Sequence, residues 1–194
     1  MNEINLNIFI PKVGDTSVID DYVLPLIREA IGEGAFYYPY HIEKHQTDKA
    51  ALVFTYLFSK CVRDKTFALA LDATSSVPLG FESYSKSPFC DYFKTNPVYN
   101  VGTTFVSSAA LKQVLKLHKT FIRAGYRKQG VASRLRRFLF KKGNFSDDTT
   151  FCFCIQKNNA AGYLSVDKLV KELNMSMVET GVTYEGQLTH QLDI

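Results

Sequence analysis

The chain is poor in cysteine and has no apolar run long enough to span a bilayer, and each lack removes a class of function. Four cysteines stand among 194 residues, at positions 61, 90, 152 and 154, and no two form a Cys-x-x-Cys pair. A zinc site therefore has no support, and no metal is expected. Cys152 and Cys154 share one face of an apparent strand, and all four read as small core hydrophobes of a reduced protein. No apolar segment approaches the roughly 20 residues of a membrane-crossing helix, so no membrane partner is expected. The opening MNEINLNIFIPK lacks the basic start and apolar core of a secretory leader. The expected setting is cytoplasmic, where the glycosylation patterns at Asn144 and Asn174 mean nothing. Repeats, low-complexity tracts and Pro/Ser-rich linkers are missing too, so residues 1–194 are expected to form a single domain.

What is present is ordinary globular material, 46% hydrophobic and 22% charged. The net charge of +4 is mild, but Arg127, Lys128, Arg134, Arg136, Arg137, Lys141 and Lys142 crowd one stretch. Such a run means either a local anionic partner or a solvated helix face.

Periodicity and breakers predict the elements in order. INLNIFIP reads as a strand ended by Pro11, and residues 16–32 as a helix capped by Thr16 or Ser17 and kinked at Pro25. FYYPYHI reads as an aromatic loop, and residues 48–64 as a second helix capped by Thr47 or Asp48. Residues 67–73 and 78–84 flank a polar turn, the pattern of an antiparallel hairpin. Residues 86–112 are broken by Pro88 and Pro97 and stay ambiguous. A strand over 115–123, a helix over 131–142, a strand over 149–156 and a helix over 160–173 follow, and a two-stranded ending turns near Glu185-Gly186. The order β-α-α-β-β-β-α-β-α-β(-β) is that of an α/β domain with a mixed sheet.

The junction of the 115–123 strand with the basic helix carries the chemistry. A strand, a tight turn and a helix present backbone N–H groups at the helix N-terminus, where the dipole favours an anion and above all a phosphate. Gly130 removes a Cβ that would stand between the backbone and a diphosphate, Ala132 keeps the first turn low, and Arg127 and Lys128 add charge at the rim. On spacing alone, a β-α turn using glycine for its conformation fits as well.

Tyr126 followed by Arg127-x-x-Gly130-x-Ala132, after a strand and opening a helix, resembles the acetyl-CoA-binding motif of the Gcn5-related N-acetyltransferase (GNAT) superfamily. The element order resembles that fold over nearly the whole chain, while the motif spans about 117–135. LKLHKTFIRAGYRKQGVASRL is most similar to arylalkylamine N-acetyltransferases. Vertebrate members carry two strand histidines; His118 matches the second, and Lys116 stands at the first. Insect members carry an acid before a loop proline, where this chain has Tyr38 before Pro39.

The resemblance implies acetyl-CoA as cosubstrate and acetyl transfer to a primary amine, a small arylalkylamine. It implies that the amides of Lys128, Gln129, Gly130, Val131, Ala132 and Ser133 line the diphosphate site, with Arg127 binding the cofactor beside them. Backbone groups of Thr120, Phe121 and Ile122 would take the pantetheine and thioester, and Asn158 opens a matching Asn-x-x-Ala. Arg134 and Arg137 would lie on the exposed side of the helix, toward a 3′-phosphate or simply toward solvent. His118 is the expected base, its ordinary imidazole pKa of about 6.5 suiting proton removal near neutrality. Glu82 in GFESY is the alternative base, and Tyr163 or Ser165 the hydroxyl that protonates the leaving thiolate. Phe36, Tyr37 and Tyr38 would line the acceptor slot. Each of these side chains has a plain packing role as its alternative.

Three other readings compete: acetylation of a protein N-terminus or lysine, an idle coenzyme A sensor, and a nucleic-acid-binding module. Residues 134–142 lack the interleaved aromatics that stack bases, so nucleic acid is not expected. A monomer or weak dimer is expected.

Overall fold

Short alternating and apolar segments become strands and the 3.6-periodic ones become helices in the computed structural model, which describes residues 4–33, 47–88, 113–143, 149–156, 160–172, 176–184 and 187–193. Two compact units are present, Met1–Ser83 with His118–Asn144, and Tyr84–Leu117 with Phe145–Ile194.

In the first unit, β1 (Leu6–Phe9) leads to a single turn α1 (Thr16–Val18), a π turn (Ile19–Val23) and α2 (Leu24–Gly32). The expected helix is thus present but changes register. A π turn closes one residue wider than an α turn, and it falls just before Pro25, which has no N–H to donate. Its cap is Asp15 rather than Thr16 or Ser17: Asp15 Oδ1 accepts from Val18 N at 3.3 Å and from Ser17 Oγ at 2.7 Å. The acid sits at the N-cap position, one residue earlier than expected, where its side chain reaches the third helical N–H.

Helix α3 (Thr47–Arg63) and the strands β2 (Phe67–Asp72) and β3 (Pro78–Pro88) complete the expected helix and hairpin. β1 pairs antiparallel with β2, from Leu6↔Asp72 to Phe9↔Leu69. β2 pairs antiparallel with β3, from Phe67↔Ser83 to Leu71↔Pro78, with a bulge at Ala70/Leu71. Asp72 Oδ1 closes the turn by accepting the N–H groups of Thr74 and Ser75, which lower its pKa. The strand β4 (Gln113–Ile122) follows β3 in the order, and α4 (Val131–Lys142) packs on β2.

Phe67 to Leu71 are all buried, as expected of a strand covered on both faces. Phe67, Leu69 and Leu71 join the core with Leu26, Ile27, Ala30 and Ile31, the apolar stripe of α2. Phe58, Phe67 and Phe81 pack as an aromatic trio with centroids 4.9–5.6 Å apart, in tilted, edge-on and stacked pairs.

In the second unit, the start of β4 pairs parallel with β5 (Thr149–Gln156), from Gln113↔Thr149 to Lys116↔Cys152. Helix α5 (Ala160–Glu172) buries Val166 and Leu169. β6 (Ser176–Tyr184) and β7 (Gln187–Asp193) form the closing hairpin, bulged between Glu179 and Thr183. β7 also pairs antiparallel with β5, so the order here is β4-β5-β7-β6. Among the described residues no helix is long and apolar enough to cross a membrane.

Candidate active site

The turn between β4 and α4 lies in the first unit. A 3₁₀ turn, Ala124–Tyr126, leads to an extended Arg127, and then Lys128 and Gly130 take positive φ of 61° and 79°. Left-handed residues in such a turn can bring successive N–H groups toward one concavity, the form of an anion-binding nest. Gly130 is the helix N-cap and offers no side chain, so no side-chain hydrogen bond caps α4. The first helical bond runs from Arg134 N to Gly130 O at 3.0 Å, so the N–H groups of Val131 and Ala132 lie ahead of it in the helix's first turn. Lys128 and Gln129 are exposed at the rim, and Gln129 Nε2 ties back to Gly125 O at 2.8 Å. A helix N-terminus of this form favours an anion.

Arg127 is turned the other way. Its Nε donates to Ile122 O at 2.8 Å, its Nη2 pairs with Glu33, and its guanidinium lies 5.7 Å from the Phe121 ring centroid. Arg123 Nε similarly meets Glu29 Oε2 at 2.7 Å. Two arginines four residues apart thus grip two acids four residues apart on α2 and its C-cap. In place of a charge aimed at the rim, Arg127 clamps the turn to α2. Sequence reasoning missed Glu29 and Glu33, because matched spacings do not reveal a contact between residues 94 apart.

The end of β4 has one edge committed to β3. Arg123 N donates to Leu79 O at 2.9 Å, and Phe121 O comes so near Gly80 that a Cβ there would sit 2.4 Å from it. Backbone groups alternate sides along a strand, so those of Thr120 and Ile122 face the opposite edge. Within the first unit that is the outer edge of the last strand.

Glu82, the alternative base of the sequence reading, has no exposed surface. Its Oε1 accepts from Arg136 Nε at 2.7 Å, and its Oε2 accepts from Arg136 Nη2 at 3.0 Å and Thr120 Oγ1 at 3.1 Å. These three donors enclose the carboxylate. Arg136 is itself buried, beside the apolar stripe of Val131, Leu135 and Leu139. Arg134 and Arg137, expected on the exposed side of α4, are both half-buried, and Arg134 Nη1 donates to Ile4 O at 2.7 Å. α4 reaches solvent fully only at Lys141 and Lys142.

His118 lies on β4 in the first unit, two residues before Thr120, while Tyr163 and Ser165 lie on α5 in the second. The side chains of His118 and Tyr163 fall outside the described residues, and Ser165 is half-buried. Phe36, Tyr37, Tyr38 and Asn158 also fall outside them. Among the described residues no group of histidine, cysteine or acid side chains is placed to hold a metal.

No protein-family model matches the chain, and no curated protein matches its sequence. Solved structures do match its fold. A diaminobutyrate acetyltransferase from Paenibacillus lautus, solved with its substrate and coenzyme A, is 14% identical with a TM-score of 0.58, over 98% of this chain and 95% of that one. A NatC complex bound to a Gag peptide and coenzyme A is 10% identical with a TM-score of 0.58, over 97% of each chain. A mosquito arylalkylamine N-acetyltransferase-like protein is 16% identical with a TM-score of 0.53, over 97% of this chain and 99% of that one. The chain has the GNAT fold. Within the GNAT fold these neighbours act on different acceptors by their descriptions, so the arylalkylamine likeness is one of several.

Proposed function

We propose that the chain is an acetyl-CoA-dependent N-acetyltransferase acting on a primary amine, a small arylalkylamine. The observation that carries this is the α4 N-terminus without a side-chain cap, with left-handed Lys128 and Gly130 before it, at the end of β4 in a GNAT fold. Residues present fit the group: the nest offers amides to a diphosphate, and a Cβ built at Gly130 meets nothing within 4 Å among the described residues.

Acetyl-CoA supplies the acyl group, whose carbonyl carbon bonds to the amine nitrogen as its bond to sulfur breaks. The amides of Lys128 to Ser133 bind the diphosphate, with Lys128 as the exposed cation at the rim. The outer-edge groups of Thr120 and the N–H of Ile122 hold the pantetheine arm, and a well-placed backbone donor there stabilises charge on the carbonyl oxygen by about 3–4 kcal/mol. His118 takes the ammonium proton, directly or through water. Tyr163 or Ser165 gives the sulfur a proton. Phe36, Tyr37 and Tyr38 supply faces for an aromatic amine. The assignments of His118, Tyr163, Ser165 and the three aromatics rest on the sequence resemblance.

Thiol release from acetyl-CoA, followed with tyramine, dopamine, serotonin, polyamines and short peptides, tests the proposal. Turnover of the arylalkylamines supports it, and turnover of peptides alone moves the acceptor to a protein N-terminus. No thiol release with any acceptor, and no coenzyme A binding by calorimetry, overturns it.

A further inference from the structure

We infer that Glu82, Arg136 and Thr120 form a buried positioning set for the cofactor-binding backbone, with Glu82 standing outside the proton-transfer machinery. This rests on the acetyltransferase reading above. The three residues belong to one unit but to three elements, β3, α4 and β4. Arg136 offers two parallel N–H donors to the two oxygens of Glu82, at 2.7 and 3.0 Å, with side-chain exposures of 5% and 0%. Thr120 Oγ1 completes the set at 3.1 Å from Glu82 Oε2.

A buried ion pair is weak evidence of stabilisation, because desolvation offsets most of the attraction. What it does fix is geometry. A guanidinium fork on a carboxylate tolerates little displacement. Arg136 lies one and a half turns into the helix whose first turn offers the diphosphate amides. Thr120 lies on the strand whose outer-edge groups serve the thioester, and its hydroxyl fixes the pitch of that strand over Glu82. Gly80, two residues before Glu82, lets β3 approach Phe121 and Ile122 closer than any Cβ would allow. The set therefore spaces the two halves of the cofactor site from inside the first unit.

Two variants test this without leaving a buried charge alone. Thr120→Val keeps the shape and removes the donor. Glu82→Gln with Arg136→Met removes both charges and keeps an oxygen for Thr120. Both are expected to fold by circular dichroism and to lower kcat/KM for acetyl-CoA by about tenfold to a hundredfold, the scale of a small misplacement. Their pH–rate profiles should keep the wild-type inflections. Glu82→Gln alone should be far less stable than the double variant. A folded double variant that binds coenzyme A but loses the acidic limb of the profile, or more than about 10³-fold of kcat, makes Glu82 a proton carrier and overturns the inference. A Thr120→Val enzyme with wild-type kinetics overturns it as well. Wild-type protein that takes no coenzyme A in calorimetry marks the failure of the functional reading itself, and the inference falls with it.

Discussion

Replacing Gly130 by alanine, asparagine or glutamate separates the backbone's need for glycine from the cofactor's. Gly130 sits at φ 79° and ψ 2°, and a Cβ built there meets no heavy atom of the described residues within 4 Å. Among the described residues an added Cβ clashes with nothing, so in the free protein its effect is conformational. A β-carbon in the left-handed region costs about 1–2 kcal/mol, and asparagine tolerates the region better than alanine. In a chain of this size each kcal/mol lowers Tm by about 2–4 °C. Gly130→Ala should therefore lower Tm by about 2–8 °C, and Gly130→Asn by less.

The space that is open in the protein is where the proposed diphosphate lies. A glutamate there adds bulk and a negative charge about 4 Å from a phosphate, which costs about 1–4 kcal/mol between water-like and surface dielectrics. Scanning fluorimetry with and without coenzyme A reads both effects. At a hundred times Kd the ligand should stabilise wild type by about 2.7 kcal/mol, or about 5–11 °C. Gly130→Asn should lower the free-protein Tm less than Gly130→Ala does and lose part of that shift, and Gly130→Glu should lose all of it. A folded Gly130→Glu protein whose Tm rises with coenzyme A as wild type does refutes the diphosphate site.

His118→Gln should lower kcat/KM about 10²–10⁴-fold near neutral pH with coenzyme A binding little changed; a wild-type pH–rate profile moves proton removal to another group. Tyr38→Ala should raise KM for an aryl amine more than for an aliphatic amine of similar length, and equal effects sink the arylalkylamine part of the reading. Burial pushes the Cys61 thiol from an ordinary 9.0 up to about 12, so iodoacetamide at pH 8 should label Cys61 only in denaturant; labelling of the native protein, read by peptide mass spectrometry, counts against its burial. The same shift makes the unfolded chain release that proton first, so Cys61's contribution to stability is complete below about pH 9 and lost toward pH 12. Urea midpoints that do not fall across that window refute the linkage.

Local signals were legible where breakers bound them. Helix 131–142 lies between Gly130 and Gly143, and both it and the 149–156 strand match the expected bounds. Less legible was whatever another element decides. β4 begins at Gln113, two residues before the expected start, in a stretch that pairs with Thr149 to Cys152 of β5. The place of β7 between β5 and β6 has no local signature at all. At the site, the backbone turn was readable, whereas the Arg127 clamp was not, since a charge near a glycine reads as a phosphate ligand until its acid is seen.

Glu82 shows how one observation can serve two readings. An acid inside the apolar GFESY strand is costly unless something meets its charge. That something is either a reacting proton or a buried cation, and the sequence offers both beside it, His118 on the motif strand and a row of arginines on the helix after it. Hydrophobic periodicity brings Leu135 inward, and Arg136 follows at the edge of that stripe, where a cation is equally costly alone. Each residue is unfavourable by itself and each resolves the other. A lysine at 136 would have met one oxygen as a point charge and left the other for chemistry. Arginine's fork takes both, and Thr120 adds a third bond, so the choice between base and anchor turns on the donor geometry of residue 136.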